Sequence, residues 1–115
     1  MKEQKGVECL DKAISLNLNY IEAYSLRGSF FRALAKDDQA MKDFEKVIEL
    51  KPDDSYAIYS KGIVLQYKEK FLESAECLCQ YISLKPDDPL GYVHKGIALH
   101  KYDKVEEVLE CFETA

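Results

Sequence analysis

The chain lacks tryptophan altogether and is poor in the residues that usually announce a fold or a chemistry. Its 115 residues include 5 glycines and 3 prolines, which excludes collagen-like and Pro/Gly-rich disordered chains. Four cysteines are too few for a disulfide scaffold. Positive charge is outnumbered: 16 Lys and Arg stand against 21 Asp and Glu, a formal net charge of -5. The basic footprint of a nucleic-acid or anionic-membrane binder is therefore missing, and neither partner is expected. No uncharged apolar run is long enough to span a bilayer. The charged start, Met1-Lys2-Glu3-Gln4-Lys5, leads into no signal-peptide apolar stretch. What is present is 47% apolar and 32% charged residues, a composition that folds and buries a core. The expectation is an intracellular, cytoplasmic chain.

A repeat dominates the sequence. Gly28, Gly62 and Gly96 are spaced by 34 residues, as are Pro52 and Pro86, each within an identical Lys-Pro-Asp-Asp string. Ile14, Ile48 and Ile82 keep the same spacing, as do Leu16, Leu50 and Leu84, Lys61 and Lys95, and Cys77 and Cys111. Such a period marks a stacked-repeat architecture.

Each unit reads as two helices, because its apolar residues recur at helical rather than alternating spacing. The first pair is predicted at 20–35 and 39–50, the second at 55–68 and 71–84, the third at 89–101 and 105–114. Residues 1–18 match only the second helix of a partial unit, so about seven helices are expected. Asn19 with Glu22 reads as a capping box for the first of these helices. Asp88 caps the third unit, with Pro89 in its first turn, where a missing N–H costs nothing. A glycine inside a helix costs about 0.5–1 kcal/mol against alanine. Three at one repeat position imply close approach of the paired helix, with Ala40 and Ser74 as the small partners.

These residues resemble the tetratricopeptide repeat (TPR) family: Tyr24, Gly28, Phe31, Ala40, Phe44, Val47 and Pro52 in 21–54; Ile58, Gly62, Leu65, Ser74, Leu78, Tyr81 and Pro86 in 55–88; and Tyr92, Gly96, Leu99, Val108, Phe112 and Ala115 in 89–115. Three departures stand out. Arg27, Lys61 and Lys95 replace the usual leucine, Val47 and Tyr81 replace a small residue, and Val108 replaces alanine. The resemblance implies an all-α, right-handed superhelix of antiparallel helix pairs whose first helices line a concave groove. It also implies a protein–protein interaction module, a scaffold or adaptor within a larger protein, that holds a peptide or helix in that groove.

Mapping the family's groove positions onto this chain gives Glu22, Ser25, Ser29 and Arg32 in the first unit. The second contributes Tyr56, Tyr59, Ser60, Ile63, Gln66 and Tyr67, and the third Leu90, Val93, His94, Ile97, His100 and Lys101. The tyrosines suit an interface, joining a large apolar body to a polar tip. They could instead pack between neighbouring helices. Family members that clamp a terminal carboxylate use Lys and Asn, then Asn, then Lys and Arg. Here Ser25 and Ser29, Ser60, and Leu90 and His94 fill those places, so that mode is not expected.

Other chemistries find no support. Cys77 and Cys79 point to different helix faces, and His94 and His100 lack the i, i+4 spacing of a two-histidine ligand face. No cofactor, metal site or catalytic machinery is expected. Asp37-Asp38, Asp53-Asp54 and Asp87-Asp88 read as caps at turns. Asp43, in the register of Cys9, Cys77 and Cys111, suggests a partly exposed surface position. Leu10, Ala13 and Ile14 can pack on the unit at 21–54. Val105, Val108, Leu109 and Phe112 are expected to cover their own first helix, with self-association through the apolar C-terminal end. Two other readings stay open: a spacer of a longer solenoid with no groove ligand, or a regulatory, non-catalytic domain of an enzyme lying outside this chain. Exposed Tyr59, Tyr67 and His94 favour binding; burial of all three under another segment favours the spacer.

Overall fold

A computed structural model describes residues 2–114, with the side chains of residue 108 and of 110–114 left out. The described residues form six helices: α1 (Lys2–Leu16), α2 (Ile21–Ala33), α3 (Asp37–Leu50), α4 (Ser55–Tyr67), α5 (Phe71–Leu84) and α6 (Pro89–Thr114). Helices adjacent in sequence pack on one another, with further contacts from α2 to α4 and from α4 to α6. This is one-dimensional stacking, and it makes the molecule long. The extents are 57 × 31 × 21 Å and the radius of gyration 16.2 Å, where a compact chain of this length would have about 13 Å.

The core runs along the interface between first and second helices. Phe44, Val47, Val64 and Leu78 are fully buried, as are the small Ala40 and Ser74. A Cβ added at Gly28 would sit 3.0 Å from the Phe44 ring, and one at Gly62 would sit 3.2 Å from Leu78 Cγ. The close approach expected at these glycines is therefore present. Ser74 adds a hydrogen bond from its hydroxyl to the Gly62 carbonyl, 2.7 Å, which satisfies a buried polar group.

Two hairpin turns share one device. Ala35 and Glu69 adopt left-handed φ of 59° and 62°. Lys36 and Lys70 N–H then donate back to the Phe31 and Leu65 carbonyls, closing the preceding helix in a Schellman motif. The third unit departs from expectation here. Residues 89–114 form one continuous helix instead of two, so the described residues hold six helices, close to the expected number of about seven. Asp103 stays within the helix where Ala35 and Glu69, two units and one unit earlier, take the left-handed turn. Residue 108 is valine where Ala40 and Ser74 are fully buried, so folding back would crowd the contact. Val105 and Leu109 consequently stay exposed instead of covering 89–101. The other two residues expected in that cover, Val108 and Phe112, lie outside the described side chains.

Two smaller expectations also change. The N-cap of α2 is Tyr20, without a side-chain cap. Asn19 instead donates its N–H to Asn17 Oδ1, so the turn before α2 is held by Asn17 and no capping box forms. Asp43 is buried, 3% exposed, not a surface residue. Arg27 reaches across the α2–α3 hairpin and binds it through two hydrogen bonds of 2.8 and 2.7 Å. Its other nitrogen reaches Asp11 on α1 at 2.8 Å. Both carboxylates raise the guanidinium pKa above its ordinary value, the Asp43 hydrogen bonds most, against desolvation by burial. An arginine in a leucine position thus ties three helices together. Lys61, its counterpart one unit on, meets Glu45 only at 3.8 Å. By contrast, Asp54 caps α4 through Ala57 N–H and Asp88 accepts from Leu90 N–H, as the turn carboxylates lead one to expect.

Candidate functional groove

The first helices α2, α4 and α6 line one side of the stack, and two adjoining clefts run along it. The larger, about 560 Å³, is lined by Ser29 and Arg32 from α2, Tyr59, Ile63 and Tyr67 from α4, and His94 from α6. Ala33, Ala35 and Asp37 complete it. The smaller, about 240 Å³, is lined by Ile63, Gln66, Tyr67, His94, Ile97 and Lys101. Ile63, Tyr67 and His94 belong to both, so the two form a continuous trough.

Of the sixteen mapped residues, nine line this trough, and Glu22, Ser25, Ser60 and Leu90 are not in its lining. The remaining three lie beside it. Tyr56 hydrogen-bonds Ser29 through its hydroxyl, 2.7 Å, and sets its ring edge-on to Phe44 at 6.3 Å. It braces the wall between α2 and α4. Val93 and His100 are exposed on α6. At 100° per residue they stand about 100° and 120° round the helix from His94, beyond Ile97 and Lys101. The mapping treated the whole inner half of the helix as lining. In this stack only the narrower arc facing α4 does so.

The side chains of the trough differ in what holds them. Tyr59 is half-buried, its ring 5.1 Å from Tyr81 and 5.6 Å edge-on from His94. Desolvation pushes its hydroxyl pKa up. Tyr59 therefore takes part of the inter-helix packing role that sequence left open. Tyr67 does not: it is 71% exposed. No other described segment lies over Tyr67, Ile97 or His94. His94 Nδ1 is buried and has no hydrogen-bond partner among the described residues. Arg32 has no carboxylate partner among them either, in contrast to Arg27 on the same helix. The trough thus offers apolar surface, one fixed aromatic cluster, one exposed tyrosine and unpartnered polar atoms.

Sequence mapping missed Ala33, Ala35 and Asp37. They enter because the left-handed turn at Ala35 folds the α2–α3 connection onto the mouth of the larger cleft. A turn without glycine gave no signal of that. Among the described residues no group of three potential metal ligands occurs, and no helix is long and apolar enough to cross a membrane.

Residues 21–54 match the family profile described as a tetratricopeptide repeat. Human RNA polymerase II-associated protein 3 is 48% identical over 42 residues, which covers 36% of this chain and 6% of that protein. The chain thus spans a small part of the curated relative it matches. Among solved structures, MamA superposes with a TM-score of 0.85 at 23% identity, over 96% of this chain and 61% of that one. The first TPR of Spaghetti (RPAP3), bound to an HSP90 peptide, gives 0.85 at 16% identity, over 89% of this chain and 81% of that one.

Proposed function

Residues 21–54 match the tetratricopeptide repeat profile, and from this we propose that the chain is a protein–protein interaction module that binds a peptide or helical segment of another protein in the α2–α4–α6 trough. The observation that carries this reading is Tyr67. A tyrosine 71% exposed, set between Ile63 and Ile97 in a cleft that nothing described covers, loses nothing in the fold if it is removed and gains much if something packs on it. The RPAP3 domain of the same fold is bound to a peptide in its solved structure, which supports the mode.

The ligand is held by apolar and aromatic contacts with side hydrogen bonds, not by a terminal-carboxylate clamp. The five clamp places carry Ser25, Ser29, Ser60, Leu90 and His94, which supply no lysine, arginine or asparagine. The module works without chemistry of its own, inside the cell, as part of a larger protein.

The test is selection of a randomised peptide phage library on the purified chain, repeated on Tyr67→Ala and Ile97→Ser variants of equal helicity. Enriched peptides that bind the parent and lose at least about tenfold in affinity to the variants, on the order of 1.4 kcal/mol, support the groove. Peptides that bind parent and variants alike place the contact elsewhere. A selection that enriches nothing favours the spacer.

A further inference from the structure

Charge is divided between the two layers of the stack. The second helices are acidic: α3 carries Asp37, Asp38, Asp43, Glu45 and Glu49 against two lysines, and α5 carries Glu73 and Glu76 with no base. The first helices are the reverse. α4 and the part of α6 up to Lys101 contain no acidic residue, and α2 contains only Glu22. On a chain of net charge -5, the layer that lines the trough is basic.

The cations of these helices fall into two sets. Arg27 and Lys61 turn to the second helices and are answered there, by Asp43 and Glu45. Lys95 keeps their register one unit on. Arg32 and Lys101 line the trough instead, and neither makes an ion pair among the described residues. Asp37 lines the larger cleft with Arg32 without closing on it. The charge of Arg32 is felt at the Tyr59 hydroxyl, where it opposes the upward push of burial. The Lys101 ammonium lies 5.8 Å over the Phe71 ring, a contact that orients the cation and leaves its charge uncompensated. Arg32 belongs to the larger cleft and Lys101 to the smaller, while Ile63 and Tyr67 belong to both. Two unanswered positive charges thus flank an apolar centre.

We propose, on the reading of the trough as the binding site, that the segment it takes is apolar at its centre and acidic on both sides. Internal aspartate or glutamate side chains of that segment pair with Arg32 at one end and Lys101 at the other. A half-buried guanidinium without a partner is completed by a carboxylate, which its planar fork holds through two parallel hydrogen bonds. Tyr67, Ile63 and Ile97 seat the apolar residue between the two acids. No chain terminus is needed, because both cations stand outside the five places that clamp a terminal carboxylate. A nucleic-acid strand fits less well. It brings a phosphate at every step, and Asp37 at the mouth, with acidic α3 and α5 behind, repels such an even polyanion.

Charge reversal supplies the experiment. A randomised peptide library, displayed on phage without a free C-terminus, is selected on the parent chain and on Arg32→Glu and Lys101→Glu variants of equal helicity. Should Lys101→Glu lose helicity with its Phe71 contact, Arg32→Glu alone decides. The parent is expected to enrich peptides with Asp or Glu on both sides of a bulky apolar residue. These should bind Arg32→Glu at least about tenfold more weakly. Arg32→Glu should in turn enrich peptides that carry Lys or Arg on one side, an exchange that a merely structural role of Arg32 would not produce. Peptides that keep the apolar centre, show no acidic bias and bind the variants as they bind the parent overturn the charge pairing and leave the trough as the binding site. Acidic peptides that bind parent and variants alike overturn it too, since their carboxylates then lie elsewhere. A poly-deoxythymidine strand that binds more tightly than the selected peptides overturns it in favour of phosphate recognition. A library that enriches nothing on the parent or the variants overturns it together with the groove itself.

Discussion

The three repeat glycines allow one substitution to be made in three environments that differ in the space left for a methyl group. Glycine to alanine in a helix interior gains about 0.5–1 kcal/mol from backbone entropy when the methyl meets open space. At Gly96 it does among the described residues, so Gly96→Ala should stabilise by that amount. At Gly28 the added Cβ stands 3.0 Å from two carbons of the Phe44 ring and 3.2 Å from Asp43 Cβ. Phe44 is fully buried and Asp43 is held by Arg27, so neither can withdraw. Overpacking of a filled core costs about 1–3 kcal/mol. The helix gain offsets part of this and leaves a net loss of about 1–2 kcal/mol. Gly62 lies between, since its nearest neighbour is Leu78 Cγ at 3.2 Å, a flexible side chain that can give by a few tenths of an ångström. The sum there is close to zero.

Urea unfolding followed by far-ultraviolet circular dichroism measures all three, at low micromolar concentration to keep copies apart. Midpoints are compared at unchanged slope, because a stack of repeats unfolds with nearest-neighbour rather than strict all-or-none cooperativity. The expected order is Gly96→Ala above the parent, Gly62→Ala beside it and Gly28→Ala below it. If Gly96→Ala destabilises as much as Gly28→Ala, a helix already lies over Gly96. The straight α6, and the open space beside Gly96, would then both be wrong.

Asp43→Ala leaves the Arg27 guanidinium, 21% exposed, with only Asp11. Removing one partner of a buried pair costs about 3–5 kcal/mol. Partial solvation of Arg27 brings the expected loss to about 2–3 kcal/mol, whereas Asp11→Ala, at a carboxylate 54% exposed, should cost under about 1 kcal/mol in the same urea assay. Ala35→Gly relieves a left-handed φ of 59° and should raise the urea midpoint by up to about 1 kcal/mol of stability. The Tyr81 hydroxyl donates to Asp88, which with burial pushes the tyrosine up to about 12 and holds the Asp88 carboxyl below its ordinary value. The tyrosine's contribution is whole below pH 10 and is lost as pH rises through about 12; that of Asp88 is present above the ordinary carboxyl range and fades as pH falls below it. Tyr81→Phe should flatten both limbs of the urea midpoint against pH, and limbs unchanged by it would remove this pair as their source.

Much of the fold was legible because repeat constraints act on residues singly. Gly28 and Gly62 exist to let Phe44 and Leu78 in, so their spacing reports a contact directly. Asp43 was misread for the opposite reason. Its register companions are cysteines, and only the arginine 16 residues away, itself an exception to the leucine pattern, explains a buried carboxylate. Two departures that look like faults apart make one bond together, and pattern matching treats them apart. The continuous α6 was illegible because 105–114 has the apolar spacing of a second helix. Whether such a segment turns back depends on what it must fit, and its register places a valine, residue 108, where the other units carry the small, fully buried Ala40 and Ser74.

The trough divides along the same line. Ser29, Tyr56 and Tyr59 do work for the stack: a hydroxyl pair between α2 and α4, and a ring wedged between Tyr81 and His94. Their placement follows from the fold, so substitution there disturbs structure and binding together. Tyr67, Arg32 and Ile97 do little or no such work across the trough, which leaves them free to be set by a ligand, whereas the Lys101 ammonium lies 5.8 Å over the Phe71 ring. Their identities encode specificity, and one sequence shows the letters without the partner that reads them. The two groups predict different responses. Substitutions at Tyr59 should lower stability and affinity in proportion, while those at Tyr67 and Arg32 should change affinity alone, since an exposed side chain outside the packing moves stability by no more than about 0.5 kcal/mol. Parallel urea and peptide titrations of the Tyr59→Ala and Tyr67→Ala variants separate the two. If Tyr67→Ala unfolded the chain as readily as Tyr59→Ala, Tyr67 would belong to the stack, and the strongest support for a binding trough would be gone.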